Sequence, residues 1–300
     1  MIFKLILLFL SILSAGKVLA SSCCGGNASS NQIIIGDNKY ELSVRSSFRN
    51  DFGQTTDKGK AIFYDDVKDH TYTTSFDASM LLTDYWQTGL KLGVAHKSIQ
   101  KGSIQENQAG LTDLGLQLAH EFLPELYYSK WKPRGFLFLS TNIPFGKNLM
   151  TSKKLLRSDI RGNGFYSVGV GTLFVKKMGD FTNRFSMEFQ KTFDAHEKEN
   201  TLKSFNKYLL STGSSYQLTD FWNLGFLISW NYTKPKKIVG TINTRSLSDQ
   251  YFDTSLFANY LMTPESLLGF TYLDSSLLGK SRNSALYRQF TINYTYQIPL

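Results

Sequence analysis

Few residues in this 300-residue chain have the types and spacing that chemistry requires. The four histidines, His70, His96, His120 and His196, form no His-Glu-x-x-His pattern and no other metal-ligand spacing. Nothing in the chain calls for a metal or a cofactor. The only cysteines, Cys23 and Cys24, are adjacent, so they cannot staple distant segments. Lipidation of Cys23, a vicinal disulfide and free thiols all remain open. One constellation has a catalytic form. In His96-Lys97-Ser98 a histidine and a serine stand two apart, which on a strand places both on one face. A histidine base beside a serine nucleophile is the arrangement that acyl transfer uses. A larger set is spread along the chain at alternating positions: Glu41, Arg45, Arg49, Asp77, Lys91, Lys97, Asp113, Glu121, Arg184, Glu188 and Asp253. Five are basic and six acidic. A selective anion pore would carry one dominant sign, so these charges read either as a solute path or as pairs that satisfy one another inside a partly filled barrel.

The elements that position these residues are strands. From Phe290, every second residue is apolar or aromatic (Phe290, Ile292, Tyr294, Tyr296, Ile298, Leu300), and those between are Thr291, Asn293, Thr295, Gln297 and Pro299. Strict alternation puts one set on each face of a strand. The same pattern runs from Tyr40 to Arg49, Tyr72 to Leu82 and Trp86 to Val94. It returns at about 110–122, 134–143, 164–177, 181–193, 206–218, 222–233, 251–262, 266–274 and 287–300, which makes twelve strands. The stretch 134–143 is irregular, because Phe136 to Leu139 is apolar on both faces. Aromatic residues reach 14% while mean hydropathy is negative, the combination that alternating strands produce.

Residues 1–20 read as a secretory signal: Lys4, an apolar run from Leu5 to Leu13, and Val18-Leu19-Ala20 before the expected cut. The run is too short for the ~20 residues of a membrane helix. Residues 21–37 read as a flexible periplasmic segment and 38–300 as the barrel. The formal charge is +9, and loss of Lys4 and Lys17 with the signal leaves +7. For an exported chain this basic balance does not point to nucleic acid.

Connections sort into two classes. Short turns fall at about 83–85, 123–133, 178–180, 219–221 and 263–265; long ones at about 50–70, 99–109, 144–163, 194–205, 234–250 and 275–286. Leu82-Thr83-Asp84-Tyr85-Trp86 is echoed by Leu218-Thr219-Asp220-Phe221-Trp222, and each Trp is followed three residues later by a glycine, Gly89 or Gly225. All six prolines lie in turns, loops or strand ends, as an unbroken ladder requires. Strict alternation of short and long connections, an even strand number and aromatics near strand ends define the fold class: a single closed antiparallel transmembrane β-barrel. Short turns and both termini are expected on the periplasmic side of a Gram-negative outer membrane, and long loops outside. Among the loop residues Lys153, Lys154, Arg157, Lys236 and Lys237 form a basic set, suited to lipopolysaccharide phosphates or to drawing anionic solutes to the mouth.

Three short motifs occur in order: Gly110-Leu111-Thr112-Asp113-Leu114, Asn142-Ile143-Pro144-Phe145-Gly146-Lys147 and Lys177-Met178-Gly179-Asp180-Phe181. Together they resemble the outer-membrane barrels of the meta-pathway of phenol degradation, or transporter-like, family. Thr112, Ile143 and Phe145 depart from that pattern. The resemblance spans about 70–300 and implies an outer-membrane transporter or channel, with hydrophobic or aromatic compounds as one solute class; it carries over no catalytic residue. Outer-membrane phospholipase A also places a His-x-Ser pair on a twelve-stranded barrel, but there Asn-Gly follows and an Arg-Ser-Trp-Asn run supplies an orienting group. Here Ile99-Gln100-Lys101 follows and that run does not occur. The expectation is therefore a non-enzymatic channel, with a plugged structural or surface-interaction barrel as its rival and a phospholipase-like enzyme third. The terminal strand is expected to close the barrel against the strand near Tyr40 and to engage the barrel assembly machinery, although Leu300 stands where such signals end in an aromatic and Pro299 lacks a donor.

Overall fold

The computed structural model describes residues 32–36, 38–148, 151–197, 200–240 and 243–299. The expected signal, Cys23, Cys24 and Leu300 lie outside them. The described residues contain no helix. Twelve strands form the wall: β1 (Asn38–Thr55), β2 (Val67–Leu81), β3 (Trp86–Lys101), β4 (Ile104–Leu111 continued by Leu114–Leu123), β5 (Arg134–Ile143), β6 (Ser167–Met178), β7 (Phe181–Thr192), β8 (Asn206–Gln217), β9 (Trp222–Thr233), β10 (Asp249–Thr263), β11 (Ser266–Asp274) and β12 (Ala285–Pro299). Each pairs antiparallel with its sequence neighbours, and β12 pairs back onto β1 from Asn38↔Pro299 to Gln54↔Ala285. This closes the sheet, as the alternation of the terminal strand predicts.

The two faces separate by parity. On β1, Tyr40, Leu42 and Val44 are exposed on the outside while Ser43 is buried within; on β12, Phe290, Ile292, Tyr294 and Tyr296 point out while Thr291, Asn293 and Thr295 are buried. A lipid-facing wall with a polar interior is the arrangement that satisfies every backbone group without water. Aromatics ring both ends of the outer face. Trp86 packs on His120 at 4.6 Å, Phe181 on Tyr216 at 4.8 Å and Trp222 on Tyr260 at 4.9 Å near the short turns. Phe189, Tyr208 and Tyr232 follow one another at 5.3 and 6.0 Å toward the long loops.

The repeated tight turn closes the same way twice. The N–H groups of Leu82 and Thr83 both donate to the Trp86 carbonyl, at 2.8 and 3.2 Å, and those of Leu218 and Thr219 to the Trp222 carbonyl, at 2.9 and 3.3 Å. The threonine hydroxyl oxygen in each accepts from the two residues that follow the Asp. Threonine, not the neighbouring aspartate, is thus the local turn former.

Two of the expected long loops differ. The stretch 99–109 is not a loop: β3 runs to Lys101, β4 starts at Ile104, and Gly102-Ser103 turn tightly between them. Polar residues on both faces hid these extensions, because alternation has no contrast where neither face meets lipid. The stretch 50–70 is likewise shortened, since β1 runs to Thr55 and receives Ala61–Phe63 as an added strand. Loops 194–205 and 234–250 build a small four-stranded sheet from Ala195–Glu197, Asn200–Leu202, Lys237–Val239 and Thr244–Arg245. Leu202, Phe205 and Phe165 form an apolar cluster beneath it.

Ile292 sits midway along β12 on the lipid side. Ile292→Arg is expected to destabilise the barrel by roughly 2–4 kcal/mol, the cost of a cation near the bilayer midplane. Urea titration of the protein folded into lipid vesicles measures it. A change within about 0.5 kcal/mol, ordinary for an exposed surface site, would contradict this placement.

Candidate functional site

Parity places Glu41, Arg45, Arg49, Asp77, Lys91, Lys97, Glu121, Arg184, Glu188 and Asp253 on the lumenal face of their strands. Most are engaged by other protein groups. Arg45 pairs with Asp77 at 3.5 Å, Arg49 with Asp51 at 2.6 Å and Lys97 with Asp69 at 3.2 Å. Glu121 takes a two-armed contact from Arg134 at 2.8 and 2.9 Å, the strong geometry for such a pair. Glu188 accepts from Ser140 at 2.5 Å and Gln190 at 2.8 Å. Asp253 accepts from the Tyr287 hydroxyl at 2.8 Å, and the Arg49 guanidinium lies over that tyrosine ring at 3.7 Å. Glu41 stands opposite Gln297 across the closing seam. Pairing inside the barrel therefore accounts for most of this set.

His96 and Ser98 are on the opposite, outer face, and no hydrogen bond joins them among the described residues. The His96 ring faces Tyr72 at 6.4 Å.

Asp113 is not on a regular strand. It lies in the two-residue break of β4, where the inward parity switches from even to odd numbers. Its carboxylate accepts from the Asn142 side chain at 3.2 Å and from the backbone N–H groups of Gly146 at 3.1 Å and Asn163 at 2.7 Å. The Arg161 guanidinium lies directly over Gly110, where a Cβ would meet it at 2.5 Å. Two of the short motifs distant in sequence thus meet in space. Their joint product is a loop, 144–163, held inward against β4. Glu106 pins the rest of it, accepting from the N–H groups of Leu155 and Leu156 and from the Ser158 hydroxyl at 3.0 to 3.1 Å. Within the loop, Asp159 is buried and accepts from Ser152 Oγ at 2.5 Å and Lys153 N–H at 3.1 Å. Burial pushes its carboxyl up, but those hydrogen bonds and the Lys147 ammonium outweigh burial and hold it below its ordinary value.

The other end of the lumen is occupied by the chain's own N-terminal side. Residues 32–36, expected to belong to a flexible segment, are seated inside the barrel. The Gln87 side chain treats Ile34 as a strand partner would: its oxygen accepts the Ile34 N–H at 2.6 Å and its amide donates to the Ile34 carbonyl at 3.3 Å. Gln117 Oε1 accepts the Gln32 N–H at 2.7 Å, Ser79 donates to the Gln32 carbonyl at 3.2 Å, and Arg134 donates to the Ile35 carbonyl. Ile33 and Ile35 pack on Ala119, Phe136, Phe138, Leu173 and Val175. Phe136 and Phe138, 0% and 1% exposed, face inward. This explains the doubly apolar stretch of β5: its outer face meets lipid and its inner face meets the seated segment. Gly89 makes room, since a Cβ there would lie 2.5 Å from the Gln32 side chain.

Between the segment and the loop lies a cavity of about 160 Å³, bounded by Gln32 on one side and Asn163 on the other. Lys91, Lys207, Gln117, Ser140 and Asn142 also line it. A larger recess, about 570 Å³, opens at the short-turn mouth beside Ile35. Arg134 is matched there with Glu121, and Glu125 with Lys176 from beside it, while Asp84 and Lys177 also line it. It lies at the mouth, so the cavity inside the lumen is the better candidate. Sequence reasoning missed Lys207, Arg134 and the seated segment. The signals that could have found them were the Ile33-Ile34-Ile35 triplet just before the barrel and the unexplained inner face of β5. Of the basic loop set, Lys153, Lys154, Arg157 and Lys237 are exposed, while Lys236 faces Asp249 at 3.7 Å.

Two outcomes follow. Gly89→Leu should leave the barrel folded but expel residues 32–36, read as new protease cleavage ahead of Asn38; unchanged protection would contradict the seating. The Asp159 contribution is present above the ordinary carboxylate value of about 3.9 and is lost as pH falls through its lower folded value. Amide exchange over 152–159 should therefore stay slow at neutral pH and accelerate only in the acid range below it, whereas Asp159→Asn should accelerate it at neutral pH.

No family model and no curated protein matches this chain. Among solved structures, an outer membrane channel from Pseudomonas putida F1 is 11% identical, with TM-score 0.71, covering 91% of this chain and all of that one. The transport unit of the autotransporter AIDA-I from Escherichia coli is 8% identical, with TM-score 0.50, covering 89% of this chain and 92% of that one. At such identities the likeness is one of fold: the chain is built as an outer-membrane β-barrel.

Proposed function

We propose that this barrel is an outer-membrane channel that passes small solutes, with its short turns and both termini in the periplasm. The observation that carries this reading is the cavity between the seated segment and the 144–163 loop. An eight-stranded barrel is filled by wall side chains and a sixteen-stranded one leaves an open aqueous channel. Twelve strands leave space, and here that space is lined by polar groups and narrowed from both ends by chain. The lining supports polar solutes more than the hydrophobic or aromatic compounds that the motif resemblance implies. The exposed lysines of the loops would draw anions toward the outer mouth.

One observation favours the rival reading of a sealed barrel with a structural or surface role: the segment and the loop both sit in the lumen. The two readings separate in a planar bilayer. The full chain is expected to conduct in small steps, and removal of residues 21–36 should raise the conductance. No conductance from either protein would end the channel reading and leave the sealed barrel.

A further inference from the structure

The cavity between the N-terminal segment and the 144–163 loop has an unusual donor balance for a lumen of mixed charge. Two ammonium groups line it, Lys91 from β3 and Lys207 from β8, and no carboxylate does. Among the described residues neither lysine has a carboxylate within 4.0 Å; Lys207 lies 5.8 Å from the Phe205 ring, and Asp249, which acts on it from further off, is paired with Lys236 at 3.7 Å. The carboxylates nearby are held by other donors. Asp77 faces Lys91 across the ladder but is bound by Arg45 and by the Gln32 amide at 3.4 Å. Glu188 is taken by Ser140 and Gln190, and Asp113 by Asn142 and two backbone N–H groups. A third donor is unused. Gln117 spends its oxygen on the Gln32 N–H, while its Nε2 is buried with no hydrogen-bond partner in a residue only 6% exposed. A buried donor without an acceptor is costly unless something brings one.

We propose that this cavity is a binding site for a small oxyanion, a carboxylate or a phosphate, held by Lys91, Lys207 and the Gln117 amide. The site deepens the channel reading above and rests on it for its role, as the point at which a passing anion is selected. Its volume, about 160 Å³, is below the ~300–1,000 Å³ of drug-sized ligand pockets. The solute is therefore of few atoms, and a larger one would require the segment or the loop to move. Two ammonium groups match a compact oxyanion as point charges, without the planar fork that an arginine would impose.

The test uses the full chain folded in detergent micelles, with inorganic phosphate, acetate and the uncharged acetamide as calorimetric probes. Saturable one-to-one binding of phosphate or acetate is expected, with none for acetamide, and which of the two binds distinguishes the phosphate source from the carboxylate one. Lys91→Gln and Lys207→Gln should each weaken it roughly tenfold, the scale of one charge-assisted hydrogen bond, while Lys91→Arg should keep most of it. Wild-type binding is informative even if a variant fails to fold. No saturable oxyanion binding, or equal binding in a folded Lys91→Gln/Lys207→Gln protein, overturns the site. Bilayer conductance separates this from the channel reading. Current without oxyanion binding sinks the site alone, and binding without current sinks the channel and leaves the site.

Discussion

Closure of β1 onto β12 is the constraint on which everything else depends. In lipid an unpaired strand edge exposes a row of N–H and C=O groups with no water to satisfy them. The pairing from Asn38↔Pro299 to Gln54↔Ala285 removes both edges at once. Once the sheet is closed, alternation has only one meaning: each strand has a lipid side and a lumen side, and a slip of one residue would exchange them. Leu42 and Val44 against Ser43 and Arg45, or Ile292 and Tyr294 against Thr291 and Asn293, leave no second register with an apolar outside.

Closure also creates the problem that the lumen must solve. A polar interior cut off from bulk water needs partners for its charges, or each would be costly. The barrel answers with short internal pairs such as Arg45–Asp77 and Arg134–Glu121, and with two pieces of its own chain. Residues 32–36 bring backbone groups that Gln87, Gln117 and Arg134 satisfy, and two isoleucines that cover Phe136 and Phe138. The 144–163 loop enters from the other end, fixed by Asp113 and Glu106. What remains between them is small, polar and unmatched in charge, and it is there that the proposed oxyanion site lies.

The wall is almost wholly legible in the sequence. The stretches 134–143, 222–233 and 266–274 agree with β5, β9 and β11 at both ends, and in 222–233 lipid on one face enforces contrast along the whole strand. Legibility failed where that contrast disappears. The outer halves of β3 and β4 are polar on both sides and looked like a loop. The inner set was harder still. Parity identified Glu41, Arg45, Asp77, Lys91, Arg184, Glu188 and Asp253 as inward-facing, but a side-chain pair such as Ser140 with Glu188 joins residues 48 apart in the chain, and spacing carries no record of it. Alternation puts Asp113 on a strand, whereas its carboxylate anchors the 144–163 loop.

By itself the sequence determined a closed antiparallel wall of twelve strands, its lipid face and the repeated tight turns at Thr83 and Thr219, since each of these follows from a local pattern with a period of two or from turn chemistry. Only the tertiary structure decided how the lumen is filled. The seating of Ile33 to Ile35, the meeting of Gly110 with Arg161 and of Asp113 with Gly146, and the two lysines facing one cavity are all contacts between segments far apart in the chain. They exist because closure brings opposite walls within side-chain reach, and no local pattern reports which residues then face each other.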